Sequence, residues 1–475
     1  MPAVPLHVEP IDEVVAAGLD AIRAEMEIQD LPAAAVDEAD AVAAAGPAGG
    51  SPVDLTDLPF VTIDPPGSRD LDQALHVTAE ADGWTVHYAV ADLAAFVRPG
   101  GAVDEAARAR GLTIYLPDAK SPLHPPSLSE GAASLLADQV RRALVWRVRV
   151  DHDGEVVDLD VRRAAIRSRG AYSYDQVQAA LDAGTADDVF GLLRDAGRAR
   201  EALQARRGGL DLRLPEQNVV VVDGRYQLEY RAPLPVEGWN AQMSLLVGEC
   251  AARLMLDAGV GVLRTMPPPS TETVDRLRMH ARGLGVAWPD TTGYAEFVRS
   301  LDPTDPDQAA LIVQSAKLAR GAGYLAFTTA PSGDVTHGAV AAPYAHVTAP
   351  LRRLVDRFAN EVTYAACAGT TPPDWATSSL PDLPTLMGKA GSRASTVEKM
   401  MVSLAEAVVL SSCIDENVEG VVVDVGRDRA TVQLVRPAVV ADISHHRGIE
   451  LGDEITLRVV SADPTSRSVT LEPVD

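Results

Sequence analysis

The chain has 475 residues, of which 47% are hydrophobic and 23% charged, a balance typical of a globular protein with one large domain and smaller ones attached. No apolar run reaches the roughly 18 residues needed to cross a bilayer. Residues 1–15 carry no basic segment before an apolar core, so we expect neither a membrane span nor a secretory signal. The three cysteines are far apart and form no CxxC pair, which favours a reducing cytoplasm.

The formal net charge is −25, which argues against a surface wrapped in nucleic acid because phosphate binding depends largely on Lys and Arg. A local basic channel inside an acidic envelope stays compatible with this charge. Only four of the 42 basic residues are Lys, namely Lys120, Lys317, Lys389 and Lys399. Genomic codon bias is one explanation, and the match between the planar Arg fork and phosphate oxygens is another.

Residues 1–53 are predicted to form an acidic N-terminal helical arm and linker. The first 50 residues contain ten acidic side chains and a single basic one, Arg23. Residues 11–26 have helical periodicity, and the Ala-rich stretch that follows ends in residues 46–50 (GPAGG), which we interpret as a linker. The arm is too short and too acidic to encode an independent RNA-binding module.

From about residue 54 the pattern changes to strands followed by helices, which predicts an α+β domain over residues 54–415. The predicted strands are residues 60–63, 84–90, 145–150 and 218–222. The predicted helices are residues 174–183, 240–258, 309–319, 351–366 and 392–410. Residues 416–475 contain short strands at regular spacing, which predicts a five-stranded β-barrel of OB type.

The segment at residues 62–74 (TIDPPGSRDLDQA) carries the most chemistry. Asp64 ends a predicted strand, and an irregular Pro-Pro-Gly turn separates it from Asp70 and Asp72. Carboxylates that converge in this way are the hard oxygen ligands that Mg²⁺ prefers, and bound Mg²⁺ can activate water for phosphodiester hydrolysis. The alternative is a solvated acidic turn in which Asp70 pairs with Arg69.

This segment resembles the signature TIDP…DxDDA of the ribonuclease II (RNB) family, and further segments resemble later motifs of that family in the same order. Residues 110–118 (RGLTIYLPD) are similar to RGxSxYLPD, and residues 344–356 (YAHVTAPLRRLVD) are similar to YAHFTSPIRRYxDL. The other matching segments are residues 88–93 with 97–100, 122–126 with 128–129, and 206–211 with 215–216. The resemblance covers about residues 54–400, and the predicted barrel matches the usual ending of the family.

The resemblance implies a fold, an activity and a set of site residues. It implies an α+β RNB catalytic domain that hydrolyses single-stranded RNA from the 3′ end to nucleoside 5′-monophosphates, with Mg²⁺ as cofactor and Mn²⁺ as the alternative. Asp64, Asp70, Asp72 and Gln73 fall on the four metal-binding positions. Asp72 falls on the essential carboxylate, and Asp70 and Arg352 on catalytic positions, with Arg352 holding the scissile phosphate.

The resemblance also assigns RNA contacts to Tyr115, Tyr174, Arg352, Arg353, His346 and Gln242. Tyr115 and Tyr174 match aromatic residues near the 3′-terminal nucleotides, where stacking is blind to sequence. From the residues alone, core packing of either Tyr and pairing of Arg352 with Asp356 stay open as alternatives. His346 and His337 lack partners at metal-binding spacing, so structural or RNA-lining roles are expected for both.

Three departures from the family pattern qualify this prediction. Gln73 replaces a fourth Asp, a pair of family glutamates falls near Ala241 and Gln242, and N-terminal cold-shock barrels are not expected. A catalytically decayed RNA-binding protein on the same fold is therefore the main alternative, and a metal-dependent phosphatase or nuclease of another family is a weaker one. We expect a cytoplasmic monomer with single-stranded RNA as its partner.

Overall fold

The computed structural model describes residues 6–9, 11–210, 216–222, 225–302, 305, 308, 311–312, 314–315, 321–426, 429–434, 439–444 and 448–474. In chain order the strands are β1 (Leu6–Glu9), β2 (Val53–Asp54), β3 (Phe60–Ile63), β4 (Gln73–Glu80), β5 (Gly83–Ala91), β6 (Ile114–Tyr115), β7 (Lys120–Ser121), β8 (Val140–Asp151), β9 (Val156–Tyr172), β10 (Glu216–Val222), β11 (Arg225–Arg231), β12 (Gly261–Thr265), β13 (Gly323–Phe327), β14 (Asn417–Val425), β15 (Arg429–Leu434), β16 (Val440–Ser444), β17 (Glu454–Asp463) and β18 (Ser468–Pro473). The helices are α1 (Glu13–Glu25), α2 (Ala33–Ala45), α3 (Ala102–Arg110), α4 (Tyr174–Asp182), α5 (Asp188–Arg206), α6 (Pro235–Ala258), α7 (Thr271–Gly283), α8 (Tyr294–Ser300), α9 (Leu354–Ala368), α10 (Asp374–Thr377) and α11 (Leu383–Ser411).

The central sheet has the strand order β2-β9-β3-β4-β5-β8. Because β8 also pairs with β9, the strands β9, β3, β4, β5 and β8 form a closed, barrel-like sheet. The long strand β9 runs parallel to β2 and β3 and antiparallel to β8. Tyr88 of β5 lies opposite Trp146 of β8, and both side chains are buried in the main core. Closure removes most unpaired edges from this sheet.

Helices α5, α6 and α9 pack with the sheet around the main core, which includes Val61, Met243 and Phe358. Gly248 of α6 brings the segment before α9 close to this helix. A Cβ at position 248 would lie 2.1 Å from Cε2 of Tyr344 and 2.7 Å from the carbonyl oxygen of Ala345, too close for any residue but glycine. This contact fixes the chain that leads from Tyr344 to Arg352.

The N-terminal arm is helical over a longer stretch than the sequence predicts. The predicted helix is confirmed as α1, but the Ala-rich stretch forms α2, and the irregular residues that flank α2 are 26–32 and 46–52. The linker interpretation of the Ala-rich stretch was therefore wrong, because Ala has the highest helix propensity of all residues. Helix α1 packs through Leu19 and Ile22 into a second core shared with α11 and the C-terminal barrel.

The C-terminal strands have the order β16-β15-β14-β17-β18, all antiparallel, in a nearly closed barrel. Helix α11 connects the two parts of the chain: Leu383 and Met387 belong to the main core, whereas Leu404 and Val408 belong to the core of the barrel. The predicted fold class, an α+β RNB-type domain followed by a five-stranded OB-type barrel, is confirmed.

One predicted helix starts later than expected, and two predicted segments lie largely outside the described residues. The predicted helix at residues 351–366 begins three residues later, at Leu354, because Leu351 and Arg352 form a turn and Arg353 has an extended backbone. The predicted helix at residues 309–319 and the motif residues 211–215 lie largely or wholly outside the described residues. Among the described helices, none combines the length and apolarity needed to span a bilayer.

Candidate active site

The loop between β3 and β4 carries all three predicted carboxylates. Asp64 directly follows β3, and Asp72 directly precedes β4. Between them, the backbone N–H of Ser68 donates to the carbonyl oxygen of Pro65 at 3.2 Å, and the backbone N–H of Leu71 donates to Oγ of Ser134 at 3.0 Å. The predicted Pro-Pro-Gly turn therefore reverses the chain between β3 and β4, and the residues that follow it are anchored to Ser134.

Asp72 is buried, with 3% of its surface exposed. Its Oδ1 accepts the backbone N–H of Leu351 at 2.7 Å, and its Oδ2 accepts Nε of Arg352 at 3.2 Å. Burial raises the pKa of Asp72 to about 7, although the positive charge of Arg352 acts in the opposite direction. The turn at residues 351–352, placed before α9 instead of inside it, supplies both donors.

Asp64 has a buried carboxylate oxygen, Oδ2, without a hydrogen-bond partner in the structure. Burial raises the pKa of Asp64 to about 7; Arg352 lowers it and the neighbouring Asp70 raises it further. A buried carboxylate oxygen without a donor is costly unless a cation or a proton satisfies it. This atom is therefore an available ligand for a cation.

Asp70 is held by the hairpin formed by β6 and β7. Nζ of Lys120 donates to its Oδ1 at 2.7 Å, and the hydroxyl of Tyr115 donates to its Oδ2 at 2.9 Å. Burial alone would raise the pKa of Asp70, but the bonds from Lys120 and Tyr115 outweigh it and lower the pKa. The pairing of Asp70 with Arg69, considered from the sequence, is replaced by pairing with Lys120.

The two adjacent arginines have different surroundings. The side chain of Arg352 is 49% exposed while bonded to Asp72, so its guanidinium is accessible from solvent. Arg353 instead forms a two-point ion pair with Asp356, whose Oδ1 also accepts the backbone N–H of Ala349 at 2.7 Å. The sequence left open a pair between Arg352 and Asp356, but Arg353 forms that pair. We therefore interpret Arg353 as a residue that fixes the turn at residues 351–352.

Of the predicted aromatic contacts, Tyr115 is 47% exposed at the edge of the site. Tyr174 is partly buried, and its hydroxyl accepts Nδ2 of Asn240 at 3.3 Å. Burial raises the pKa of Tyr174 to about 12, and the charge of Asp64 acts in the same direction. Tyr115 therefore contacts Asp70 and Arg352 contacts Asp72, whereas Tyr174 bonds to Asn240.

His346 is a hydrogen-bonding member of an aromatic cluster. Its Nδ1 lies 2.8 Å from the hydroxyl of Tyr324, and its ring meets Tyr344 edge-on. Burial and the nearby Arg353 and Arg264 keep the pKa of His346 well below its ordinary value. The ring is neutral at pH 7, so it offers no positive charge to a phosphate.

The structure places Gln242 away from the site, which corrects the predicted RNA contact. Its side chain is buried and donates to Oε1 of Gln204 of α5 at 2.6 Å. Asn240 and Ser244 are four residues apart on α6 and share a face, whereas Gln242, two residues from each, lies on the opposite face. Asn240 and Ser244 form the face that meets Tyr174 and Thr348.

Gln73 is engaged at both ends of its amide. Its Nε2 donates to the carbonyl oxygen of Thr348 at 2.7 Å, and its Oε1 accepts the hydroxyl of Tyr88 at 2.8 Å. Thr348 in turn lies 2.8 Å from the Oγ of Ser244. This geometry makes Gln73 part of a network that joins β4, β5, α6 and the segment before α9, in place of the predicted metal ligand.

The remaining carboxylates fit a hard divalent cation. Burial raises the pKa values of Asp64 and Asp72 to about 7, and Oδ2 of Asp64 has no hydrogen-bond partner. A cation would favour their charged forms. Within the described part of the chain, no group of three or more His, Cys, Asp or Glu side chains is arranged to hold a metal ion, and Asp70 pairs with Lys120.

The sequence profile described as the RNB domain matches residues 53–368, and that described as the RNase II-type exonuclease C-terminal S1 domain matches residues 416–474. The chain therefore belongs to the RNB family. It is similar to Exosome complex exonuclease RRP44 homolog A of Arabidopsis thaliana, with 28% identity over 333 residues that cover 66% of this chain and 35% of that protein. It is also similar to Ribonuclease R of Mycoplasma genitalium, with 27% identity over 318 residues that cover 64% of this chain and 43% of that protein. The matched regions span less than half the length of these two relatives.

Solved structures share the fold. The apo form of Mycoplasma genitalium RNase R matches with a TM-score of 0.83 and 19% identity over 96% of this chain and 77% of that chain. The same protein in complex with ribose-methylated single-stranded RNA gives the same values. Yeast Ssd1, described as a pseudonuclease, matches with a TM-score of 0.66 and 17% identity over 89% of this chain and 54% of that chain.

Sequence reasoning missed two groups of residues at this site. Lys120 went unassigned, although it is one of only four lysines in the chain. Asn240 and Ser244 were passed over in favour of Gln242, although their spacing of four places them on one helical face. This four-residue spacing, counted from Asn240, is the signal that separates their face from that of Gln242.

Proposed function

We propose that the chain is a 3′→5′ exoribonuclease that hydrolyses single-stranded RNA to nucleoside 5′-monophosphates with Mg²⁺, or Mn²⁺ in its place. One observation carries this proposal: the half-exposed Arg352 is bonded to the buried Asp72, beside the unsatisfied oxygen of Asp64. This arrangement pairs a phosphate-binding cation with carboxylates suited to a metal. The names of the relatives, which include ribonuclease R and an exosome exonuclease, support the choice of RNA and of exonucleolytic cleavage.

In this proposal Asp64 and Asp72 would hold the cation. When bound, the divalent ion supplies an activated water and positive charge near the leaving oxygen. Arg352 keeps its Nε on Asp72 and presents its outer guanidinium nitrogens to the non-bridging oxygens of the phosphate, where negative charge grows in the transition state. The bond to Asp72 orients the guanidinium before RNA arrives, so little ordering remains to be done at the reaction step.

The aromatic residues would position the 3′ end. Tyr115, exposed beside Asp70, offers a face for stacking on a base, and stacking accepts every base. Tyr174, whose hydroxyl accepts Nδ2 of Asn240 and whose pKa is raised in part by the charge of Asp64, would contact the terminal nucleoside. The solved complex of Mycoplasma genitalium RNase R with single-stranded RNA supports the same class of ligand for this chain.

The alternative is a catalytically decayed RNA-binding protein. Gln73 in place of an acidic residue favours it, as does the shared fold with the pseudonuclease Ssd1. The observations at Asp64, Asp72 and Arg352 favour the enzyme, because a decayed site has no reason to keep two buried carboxylates with raised pKa values beside an accessible Arg.

The deciding experiment uses a single-stranded RNA labelled at its 5′ end, incubated with the protein and Mg²⁺, with and without a chelator. We expect labelled products that shorten progressively from the 3′ end, release of nucleoside 5′-monophosphates, and no reaction with the chelator. RNA that is bound but stays intact would establish the decayed protein instead. Internal cleavage would contradict the exonucleolytic assignment.

A further inference from the structure

A lysine ammonium lies inside the acidic cluster of the site. Nζ of Lys120 is 2.7 Å from Oδ1 of Asp70 and 2.9 Å from Oε1 of Glu130. The side chains of Lys120, Asp70 and Glu130 are 25%, 13% and 23% exposed, so this bridge is largely screened from water. Both carboxylate oxygens thus contact one compact positive charge.

The hairpin delivers Lys120 and Tyr115 to Asp70 together. The two residues are direct register partners on β6 and β7, and the turn between them is closed by a bond from the backbone N–H of Leu116 to the carbonyl oxygen of Ala119 at 2.9 Å. Arg23 of α1 forms an ion pair with Asp118 in the same turn. The position of the ammonium is therefore set by the fold and not only by attraction to the carboxylates.

The residue type is informative because the chain almost always uses Arg where it needs a positive charge. Only four of 42 basic residues are Lys, and one of them occupies this position. An ammonium is a compact point charge, closer to a metal ion in shape than the wide planar guanidinium. At this position the ammonium puts one compact charge in contact with both carboxylates, as a bound metal ion would.

Asp64 and Asp72 form a contrasting pair. Among the described residues, neither bonds to Lys120, Oδ2 of Asp64 has no hydrogen-bond partner, and Asp72 pairs with the half-exposed Arg352. Gln73 adds no charge, and its amide is engaged with Tyr88 and Thr348. The carboxylates thus divide into a pair that can accept a cation and a pair that already contains one.

We propose that Lys120 is a positioning residue that serves as a resident cation between Asp70 and Glu130, so that the site takes one divalent ion, at Asp64 and Asp72. This inference deepens the proposed function and depends on it for the ion at Asp64 and Asp72. Removing the ammonium leaves Asp70 and Glu130 facing each other with no cation, and two such carboxylates bind a divalent ion in its place.

The test counts bound metal directly. Mn²⁺ is titrated into the full-length protein, and free Mn²⁺ is followed by electron paramagnetic resonance, for the wild type, Lys120→Met, Lys120→Arg and the matched control Lys389→Met. Lys389 is exposed on α11, outside the site. We expect one ion per chain for the wild type, Lys120→Arg and Lys389→Met, and two for Lys120→Met.

Two results would overturn the inference: two ions in the wild type, which would mean that metal displaces Lys120, or no additional ion in Lys120→Met. Thermal melting checks that each variant folds, and Lys120→Gln, which keeps hydrogen bonding but loses the charge, is the second variant if Lys120→Met does not fold. A wild type that binds one Mn²⁺ and leaves RNA intact would contradict the proposed function alone. A wild type that binds no Mn²⁺ would contradict both.

Discussion

Nε of Arg352 lies 3.2 Å from Oδ2 of Asp72, which joins two residues 280 positions apart in the chain. The adjacent backbone N–H of Leu351 binds the other oxygen of the same carboxylate at 2.7 Å. Asp72 is thus held at both oxygens by one turn of chain. Any cation that Asp72 binds is therefore fixed in position relative to the guanidinium that would receive the phosphate.

Asp72→Asn should abolish hydrolysis and leave RNA affinity close to that of the wild type. The amide oxygen can still accept the N–H of Leu351, which preserves the fold, but the charge that holds the metal is lost. A loss of about 4 kcal/mol of transition-state stabilisation corresponds to about a thousandfold in rate. Initial rates and fluorescence anisotropy with labelled RNA measure the two quantities.

The matched control for Asp72→Asn is Asp82→Asn, at an exposed residue that pairs with Arg149 on the sheet surface. It should leave both the rate and the affinity unchanged. An Asp72→Asn protein that degrades RNA at a comparable rate would show that the reaction centre lies elsewhere.

Gln73→Asp should reduce activity at every Mg²⁺ concentration. Asp is shorter and has no N–H donor, so the carbonyl oxygen of Thr348 and the hydroxyl of Tyr88 lose their partner. Leaving such groups unsatisfied costs about 1–3 kcal/mol in the free energy of unfolding. A Mg²⁺ titration of initial rates, with thermal melting alongside, measures both effects. A lower half-maximal Mg²⁺ concentration in the variant would restore Gln73 as a metal ligand, as its sequence position suggested.

Tyr115→Ala should weaken the binding of short RNAs, whereas Tyr115→Phe should not. Stacking contributes about 1–3 kcal/mol per base, so the Kd should rise about 5- to 150-fold when the ring is removed. Phe keeps the ring and loses only the hydroxyl that bonds to Asp70. Anisotropy titrations in chelator separate the two variants, and equal affinities for Tyr115→Ala and the wild type would place the RNA away from this residue.

Without divalent ions, the protein should lose stability as the pH rises from about 4 to 7. The ordinary carboxyl pKa is 3.8, whereas burial raises the pKa of Asp64 and Asp72 to about 7 in the folded state. Between these values the folded protein keeps protons that the unfolded chain has released, so the free energy of unfolding falls with rising pH. Each group contributes at most roughly 1.4 kcal/mol per pH unit over this range.

Thermal melts in chelator at several pH values measure this decline. Asp64→Asn removes one of the two groups and should make the decline shallower, and Mg²⁺ should raise the melting temperature more at pH 8 than at pH 5. An identical pH dependence in Asp64→Asn and the wild type would mean that Asp64 is already ionised at low pH.

The sequence by itself determined the features that depend on neighbouring residues. A strand followed by Asp64 and a Pro-Pro-Gly turn places Asp70 and Asp72 near Asp64 whatever the rest of the chain does. The alternating strands and the spacing of turns likewise predicted the C-terminal barrel, because alternation and turn residues act over a few positions. The order of the motifs was enough to identify the family.

Only the tertiary structure decided which partners these side chains have. Asp70 could pair with Arg69 by proximity, but the hairpin from residues 114–121 places Lys120 there instead. Whether Arg352 or Arg353 reaches Asp356 depends on α9 beginning at Leu354. The physical reason is geometric: successive residues of a helix or turn point in widely different directions, so a shift of one or two positions changes a side chain from exposed to buried, and distant segments fix that shift.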